Sequence, residues 1–383
     1  MREEAILKES FDDIRQDFTE LLYIIASDQE YLSKFVSSLK KNEKHILPTS
    51  LEWVEKMSTS CKKELNQYHE ELLLLRKKAQ GKNHSLPLLS QLIQAKKDYF
   101  DLLRTQQNVF ASLITATDWQ SPSYTHSLHS QAGVQTGKII GTINDYKRDQ
   151  HLNEKEFENA YLSEYIDSRF KFLIKVYATG SGMAAFTTIL NFLMMEGKIK
   201  GKILVGKSSY FEYKELIIRS FPDCTIVIDE SQTENIIETI QKEKPDAIFL
   251  DSLCNSTSLA LPNLQKIITY LTHQYQKEIY VVIDNSCLSV FYQLMKAVVG
   301  KRGKVTLLCF ESLNKYVQFG LDRTTGGMIT AYGKDVGKLY EYRDHSGTNI
   351  SDSSVYMIPR PNRDLLEKRL LRHQRNTFFL ASF

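Results

Sequence analysis

Short, apolar, β-rich runs alternate with segments of helix length from Leu162 onward, and this alternation constrains the fold more than any other feature. The runs are 203–205, 225–228, 247–250, 279–283, 305–310 and 328–330. Near-continuous apolar strands that alternate with helices are typical of a mostly parallel sheet covered on both faces. The pattern therefore predicts an α/β domain whose ligand site lies beyond the carboxyl ends of the strands.

The chain up to about residue 118 has a different pattern, with apolar residues at spacings of three and four. One stripe comprises Phe11, Ile14, Phe18, Leu21 and Ile25; a second runs through 54–75 and a third through 89–113. Such stripes predict three amphipathic helices in an antiparallel bundle or coiled-coil hairpin. This region is either an oligomerisation or partner-docking module, or a simple helical extension of the main domain.

Composition excludes few classes of protein. The 383 residues are 42% hydrophobic and 25% charged, with a net charge of only +3, so no nucleic-acid or membrane partner is indicated. No segment approaches the roughly 20 apolar residues of a membrane span, and no signal peptide is visible. The five cysteines show no paired spacing, which favours reduced thiols over disulfides or a metal site. We therefore expect a cytoplasmic protein.

A lysine follows the apolar run 305–310 and has a serine three residues before it. The amine of Lys315 could form a Schiff base with the aldehyde of pyridoxal 5′-phosphate, and the Ser312 hydroxyl could bind its phosphate. Alone, such a lysine is more often a solvated loop residue. Small residues Ser181 and Gly182, followed by Met183, open a helical segment whose amides could also bind phosphate, although the same residues suit a tight turn.

Other strand ends carry further candidates. Asp284 could pair with a protonated pyridine nitrogen or simply cap a helix, and Ser286 follows it. Asn255 could bind the ring hydroxyl or serve as a turn residue. The ring of Tyr210 could stack on the pyridine, or could be an ordinary core or surface tyrosine.

The order and spacing of these residues resemble the cystathionine γ-synthase family. This is the Cys/Met-metabolism family of fold-type-I pyridoxal-phosphate enzymes, which includes methionine γ-lyase and cystathionine γ-lyase. Tyr146, Lys147 and Arg148 are similar to the family's Tyr-x-Arg motif, and Asp322 and the arginine-rich segment 369–376 also match. The resemblance covers roughly residues 125–383.

The resemblance implies the aspartate aminotransferase fold (fold type I, PLP-dependent transferase-like) and bound pyridoxal 5′-phosphate. It implies a lyase or transferase that eliminates or replaces a γ- or β-substituent of a sulfur-containing or other substituted amino acid. The implied catalytic residues are Lys315, Asp284 and Tyr210. The implied cofactor contacts are these three with Ser181, Gly182, Met183, Asn255, Ser286, Ser312 and Asn314, together with Tyr146 and Arg148 reaching the neighbouring subunit of a homodimer or homotetramer. We also expect Lys315 to be buried.

The chain departs from the family pattern in several places. Asn314 replaces a threonine, Asp251 replaces a glutamate, and the Asn-Pro-Thr that follows Tyr-x-Arg is absent. We expect a helical extension over 1–118, an arm to the partner subunit over 119–160, and a cofactor-binding domain over 161–360. Residues 361–383 would begin the connecting helix, with the family's C-terminal domain missing. Two alternatives stay open: a catalytically weak or inactive descendant whose helical extension docks a protein, and another fold-type-I enzyme such as an aminotransferase.

Overall fold

The computed structural model describes residues 2–42, 48–81, 83–115, 152–257, 259, 261–300 and 304–382. The chain divides into two compact units. A helical unit takes its residues from Met1–Asn153, Tyr316–Thr324 and Ser351–Phe383. A sheet unit comprises Glu154–Lys315 and Thr325–Ile350.

The helices in the described residues are α1 (Arg2–Asn42), α2 (Pro48–Ala79), α3 (Leu86–Thr115), α4 (Leu152–Tyr165), α5 (Gly182–Met195), α6 (Phe211–Ser220), α7 (Thr233–Glu243), α8 (Leu264–His273), α9 (Met295–Val298), α10 (Leu339–His345), α11 (Asp352–Met357) and α12 (Arg363–Ala381). The strands are β1 (Lys175–Thr179), β2 (Ile203–Gly206), β3 (Thr225–Ile228), β4 (Ala247–Asp251), β5 (Ile279–Asp284), β6 (Val305–Ser312) and β7 (Gly327–Tyr332).

The predicted helical N-terminal region is confirmed. The first apolar stripe is the buried face of α1, where Phe11, Phe18 and Ile25 are at most 1% exposed. A buried polar pair joins α1 to α3, because Gln107 Nε2 donates to both carboxylate oxygens of Asp28 at 3.0 and 2.8 Å. Among the helices that the structure describes, none is long and apolar enough to cross a membrane.

The predicted α/β class is also confirmed. The described residues form a seven-stranded sheet in the order β1-β7-β6-β5-β4-β2-β3. The pairs β2–β3, β2–β4, β4–β5 and β5–β6 are parallel, whereas β7 runs antiparallel to both of its neighbours. The carboxyl ends of β4, β5 and β6 therefore meet at one edge of the sheet. The strand β1 was missed from sequence, because it is a short edge strand that begins at the exposed Lys175.

The core of the sheet unit lies between α5 and the sheet. The rings of Phe186 and Phe192 on α5 are fully buried, and Phe186 packs on Tyr213, Phe249 and Phe310 with centroids 5.1 to 6.3 Å apart. Because the sequence of α5 is mostly apolar, burial of its side chains stabilises the packing of the helix against the sheet.

A buried ion cluster fixes the end of β1. Arg343, 1% exposed, is paired with Glu154 and Glu158 of α4, and its Nη1 also donates to the Ala178 carbonyl at 3.1 Å. Glu158 in turn accepts the Ala178 N–H at 3.0 Å. The chain that leads from β1 into α5 is thus anchored just before Ser181.

Candidate active site

Two aspartates end neighbouring parallel strands. Asp251 closes β4 and Asp284 closes β5, and they are partners in the strand register. The next strand, β6, ends at Ser312. A short hydrogen-bond chain connects these ends, because the Ser286 N–H donates to Asp284 (2.9 Å) and the Ser286 hydroxyl accepts the Ser312 N–H (2.9 Å).

The start of α5 lies against the end of β6. Ser181 caps α5, since its hydroxyl accepts the Ala184 N–H at 3.0 Å. The N–H groups of Gly182 and Met183 have no acceptor within the helix, as in any first turn. A Cβ added to Gly182 would come within 2.9 Å of Ser312 Cβ, so only glycine permits this approach. Helix amides and a serine hydroxyl therefore converge on one place.

These elements line a cavity of about 370 Å³. Its walls include most of the predicted site residues: Ser181, Gly182, Met183, Tyr210, Asn255, Asp284, Ser286, Ser312 and Lys315. A volume in this range suits a small cofactor or metabolite. The fold thus brings predicted site residues from four strand ends and one helix start to a single cavity.

Three predicted site residues do not join this group in the described part of the chain. Asn314 does not line the cavity. Its Oδ1 instead accepts the Gly326 N–H at 3.2 Å, just before β7. Tyr146 and Arg148 lie outside the described residues. The expectation that Lys315 is buried is wrong: its side chain is exposed where it lines the cavity.

The pKa values of both carboxyl groups, Asp251 and Asp284, are raised. Burial raises the pKa of Asp284, and the Ser286 hydrogen bonds and the charge of Lys315 oppose that rise. Burial, and then the charge of Asp284, raise the pKa of Asp251 to about 7. Asp251 also accepts hydrogen bonds from the Tyr213 hydroxyl and from the Tyr210 N–H (2.9 Å). This end of the cavity therefore favours a ligand with a positively charged ring atom or amine.

Sequence reasoning missed several residues of the cavity wall. Asp251, Leu253, Cys254, Leu259, Cys287 and Phe310 also line it. Asp251 was noted in the sequence only as the replacement of a family glutamate, although it ends an apolar run just as Asp284 does. Behind the cavity, the buried Glu311 accepts a hydrogen bond from the Tyr161 hydroxyl, and no sequence pattern indicated that pair.

The residues present fit pyridoxal 5′-phosphate. The α5 amides and Ser312 offer donors for a phosphate, and they lie on the same cavity as a primary amine, Lys315. The half-buried Asp284 has the charge needed to pair with a protonated ring nitrogen. Tyr210 adds an aromatic ring to the wall. The cavity therefore has groups suited to the phosphate, the aldehyde and the ring of the cofactor.

The chain is similar to several known proteins. The bifunctional enzyme flvA of Aspergillus flavus is 25% identical over 200 residues, which are 52% of this chain and 24% of flvA. The chain therefore spans about a quarter of the length of that curated relative. The structure of cystathionine gamma synthase from Xanthomonas oryzae pv. oryzae is 15% identical with a TM-score of 0.47, over 65% of this chain and 56% of that one. Cystathionine gamma-lyase from yeast is 16% identical with a TM-score of 0.49, over 70% and 61%.

A family model decides the assignment, because it matches well over half of the chain. The model describes the Cys/Met metabolism PLP-dependent enzymes, and its match covers residues 104–383. The predicted resemblance is confirmed: the chain belongs to the family of Cys/Met metabolism enzymes that depend on pyridoxal 5′-phosphate.

Proposed function

We propose that the cavity at the ends of β4, β5 and β6 binds pyridoxal 5′-phosphate and acts on a sulfur-containing or other substituted amino acid by γ- or β-elimination or replacement. One observation carries this proposal. Lys315, Asp284 and the Gly182–Ser312 contact come from distant parts of the sequence, yet they line one cavity of suitable size. Family membership supports the cofactor and the class of substrate.

The bound cofactor supplies an electron sink for a carbanion at the substrate's α-carbon. The protein's own residues supply the rest. Asp284 would pair with the ring nitrogen and keep it protonated, and its partial desolvation would strengthen that pairing. Ser286 holds Asp284 in place through its N–H.

Lys315 has two proposed tasks. Its Nζ would hold the cofactor in the resting protein, and as a free amine Lys315 would take the proton from the substrate's α-carbon. The Lys315 side chain is exposed, which leaves it free to move. Both tasks need this freedom, because Nζ would have to leave the cofactor and then reach the substrate's α-carbon. Lys315 lies close enough to Asp284 for its charge to lower the pKa of that carboxyl group.

Phosphate binding is proposed at the α5 start. The first-turn amides of Gly182 and Met183 carry the positive end of the helix dipole, and the Ser312 hydroxyl adds a donor. Tyr210 would pack against the ring, and Asn255 would contact the ring oxygen. Tyr146 and Arg148 are proposed to reach the phosphate of a neighbouring subunit, which makes the active form at least a dimer.

The absorbance spectrum of the purified protein tests this function directly. Added pyridoxal phosphate should give a stable visible band in the wild-type protein and none in Lys315→Ala. Lys296→Ala is a matched control, since Lys296 is a surface residue of the same unit paired with Asp167. A band that persists in Lys315→Ala would contradict the proposal.

One observation favours the second candidate, a catalytically weak descendant. Asn314 stands where the family carries a phosphate-binding threonine, and its amide oxygen is engaged by the Gly326 backbone. Because Asn314 does not line the cavity, its side chain would add no donor to the phosphate site. A stable visible band without detectable exchange of an amino acid's α-proton would support this candidate instead.

A further inference from the structure

The turn that joins β1 to α5 precedes the proposed phosphate contacts, and β1 lies at the edge of the sheet. An edge strand has backbone groups that no neighbouring strand can pair. On β1, both backbone groups of Ala178 are bonded to side chains instead. Its N–H donates to Glu158 Oε1 at 3.0 Å, and its carbonyl accepts from Arg343 Nη1 at 3.1 Å. Because Arg343 Nη1 also donates to the same Glu158 oxygen at 2.7 Å, one ion pair holds both backbone groups.

The charges around the buried Arg343 are balanced. Arg343 is also paired with Glu154 of α4, and Glu158 has a second cationic partner in Lys155, whose Nζ lies 3.3 Å away. The guanidinium carbon of Arg343 lies 5.6 Å from the centroid of the Tyr177 ring of β1, a position that favours a cation. Arg343 therefore has a fixed place beside β1.

A second path of hydrogen bonds runs from Arg343 to the turn itself. The Thr348 N–H donates to the Arg343 carbonyl at 3.0 Å, and the Thr348 carbonyl accepts the Gly180 N–H at 2.9 Å. The Thr348 hydroxyl also lies 2.6 Å from the hydroxyl of Thr188 on α5. The end of β1 and the turn are thus both tied to Arg343, and Ser181, the cap of α5, comes next in the chain. All of these residues belong to the sheet unit.

We propose that Arg343 is a positioning residue for the phosphate site at the α5 start. The first-turn amides can donate to a phosphate only while the backbone before them directs them into the cavity. Arg343 fixes that backbone at Ala178 and Gly180, so the amides are directed before a ligand binds, which lowers the cost of binding. The aldehyde of the cofactor would meet Lys315, which follows a different strand. This inference rests on the proposed function, and it predicts that loss of Arg343 weakens recognition of the phosphate in particular.

The test removes the guanidinium without unbalancing the buried charges. Arg343→Met combined with Glu154→Gln deletes one cation and one anion, and Glu158 keeps Lys155 as its partner. Replacement of a buried ion pair by neutral groups of similar volume is often tolerated. Arg343→Lys keeps the charge but lacks the planar guanidinium that bonds Glu158 and the Ala178 carbonyl together. This single variant examines the same contact if the double variant does not fold.

Lys198→Met combined with Asp335→Asn is the matched control. These residues form another ion pair of the sheet unit, with Lys198 Nζ 2.6 Å from Asp335 Oδ2. The pair joins the residues after α5 to those after β7, so it lies at the opposite end of α5 from the phosphate site. Its removal also keeps the charges balanced, and we expect it to leave the turn unchanged.

Two measurements report on the turn. The first is the ratio of the dissociation constant for pyridoxal, which lacks the phosphate, to that for pyridoxal 5′-phosphate. The second, made on cofactor-free protein, is the hydrogen exchange of the amides of 178–184, followed by mass spectrometry. In the Arg343 double variant the ratio should fall and the exchange should rise, each about tenfold, the size expected when one hydrogen bond to a charged group is lost. Arg343→Lys should change both in the same direction, and the Lys198 control should keep the wild-type values.

The outcomes separate this inference from the proposed function. A ratio that stays at the wild-type value in the folded Arg343 variants would overturn the inference alone. Equal loss of affinity for both ligands, or equal changes in the Lys198 control, would overturn it as well, because they would indicate general loosening of the sheet unit. A wild-type protein with no preference for pyridoxal 5′-phosphate over pyridoxal would instead contradict the proposed phosphate site, and this inference with it.

Discussion

Asp251 and Asp284 are register partners at the carboxyl ends of adjacent parallel strands, so two carboxyl groups share one end of the cavity. Each is buried or partly buried, and the charge of Asp284 contributes to the raised pKa of Asp251. A cation bound beside Asp284 would relieve this repulsion. The two carboxyl groups therefore make this end of the cavity acidic.

The stability of the cofactor-free protein should fall as pH rises from about 4 to about 7. The pKa of Asp251 is about 7 in the folded chain, against an ordinary 3.8, so the folded state holds a proton that the unfolded state has lost. That contribution is fully present below the unfolded pKa and is lost as pH rises through the folded one, with an upper bound of about 4 kcal/mol. The free energy of unfolding, measured with denaturant across this pH range, should change less with pH in Asp251→Asn than in the wild-type protein. An identical slope in wild type and variant would rule out Asp251 as the source.

Gly182→Ala should weaken cofactor binding and destabilise the sheet unit. The added methyl would lie within 2.9 Å of Ser312 Cβ, and the backbone there has little room to move. Overpacking of this kind costs about 1–3 kcal/mol. Gly337→Ala is the matched control, because a Cβ there meets nothing within 4 Å. Equal thermal stability and cofactor affinity in the two variants would show that the α5 start does not press on Ser312.

Asp284→Asn should separate binding from chemistry. The amide keeps the shape of the side chain but lacks the charge that holds a ring nitrogen protonated. We expect the visible cofactor band to be retained while α-proton exchange of a bound amino acid falls by about a hundredfold or more, as when a preorganised electrostatic group is removed. The exchange is measured in D2O by NMR. Wild-type exchange rates in the variant would remove Asp284 from this role.

Two variants that each lack cofactor binding should complement each other if sites are shared between subunits. Lys315→Ala removes the amine, and Arg148→Ala removes the proposed phosphate contact from the neighbouring chain. Mixed dimers of the two contain one intact site, so the visible band should return in part when the chains are unfolded and refolded together. A wild-type protein that is monomeric by light scattering with cofactor bound would contradict the shared site.

Much of the sheet could be predicted from the sequence, because the apolar runs mark the strands and the ends of the runs mark the ends of the strands. Asp284 and Ser312 were placed at strand ends for this reason, and both line the cavity. The contact of Gly182 with Ser312 could not be predicted, since it depends on how α5 packs on β6. The hydrogen bond between Asn314 and Gly326 could not be predicted for a similar reason, since the pairing of β6 with β7 brings the two residues together.

The exposure of Lys315 and the position of the loop after it had no sequence signal either. Spacing shows that a lysine follows a strand, but not that the chain then leaves the sheet unit. Within the helical unit, the ring of Phe319 in this loop packs against Tyr23, almost 300 residues earlier in the chain. Only the folded structure connects these two positions.

The most direct test of the central claim is to map where pyridoxal phosphate becomes attached. The protein is incubated with the cofactor, reduced with borohydride, digested and sequenced by mass spectrometry. We predict that the modified peptide carries its label on Lys315, and that Lys315→Ala gives no labelled peptide while retaining its fold by circular dichroism. A label on another lysine, or undiminished labelling in Lys315→Ala, would contradict the account.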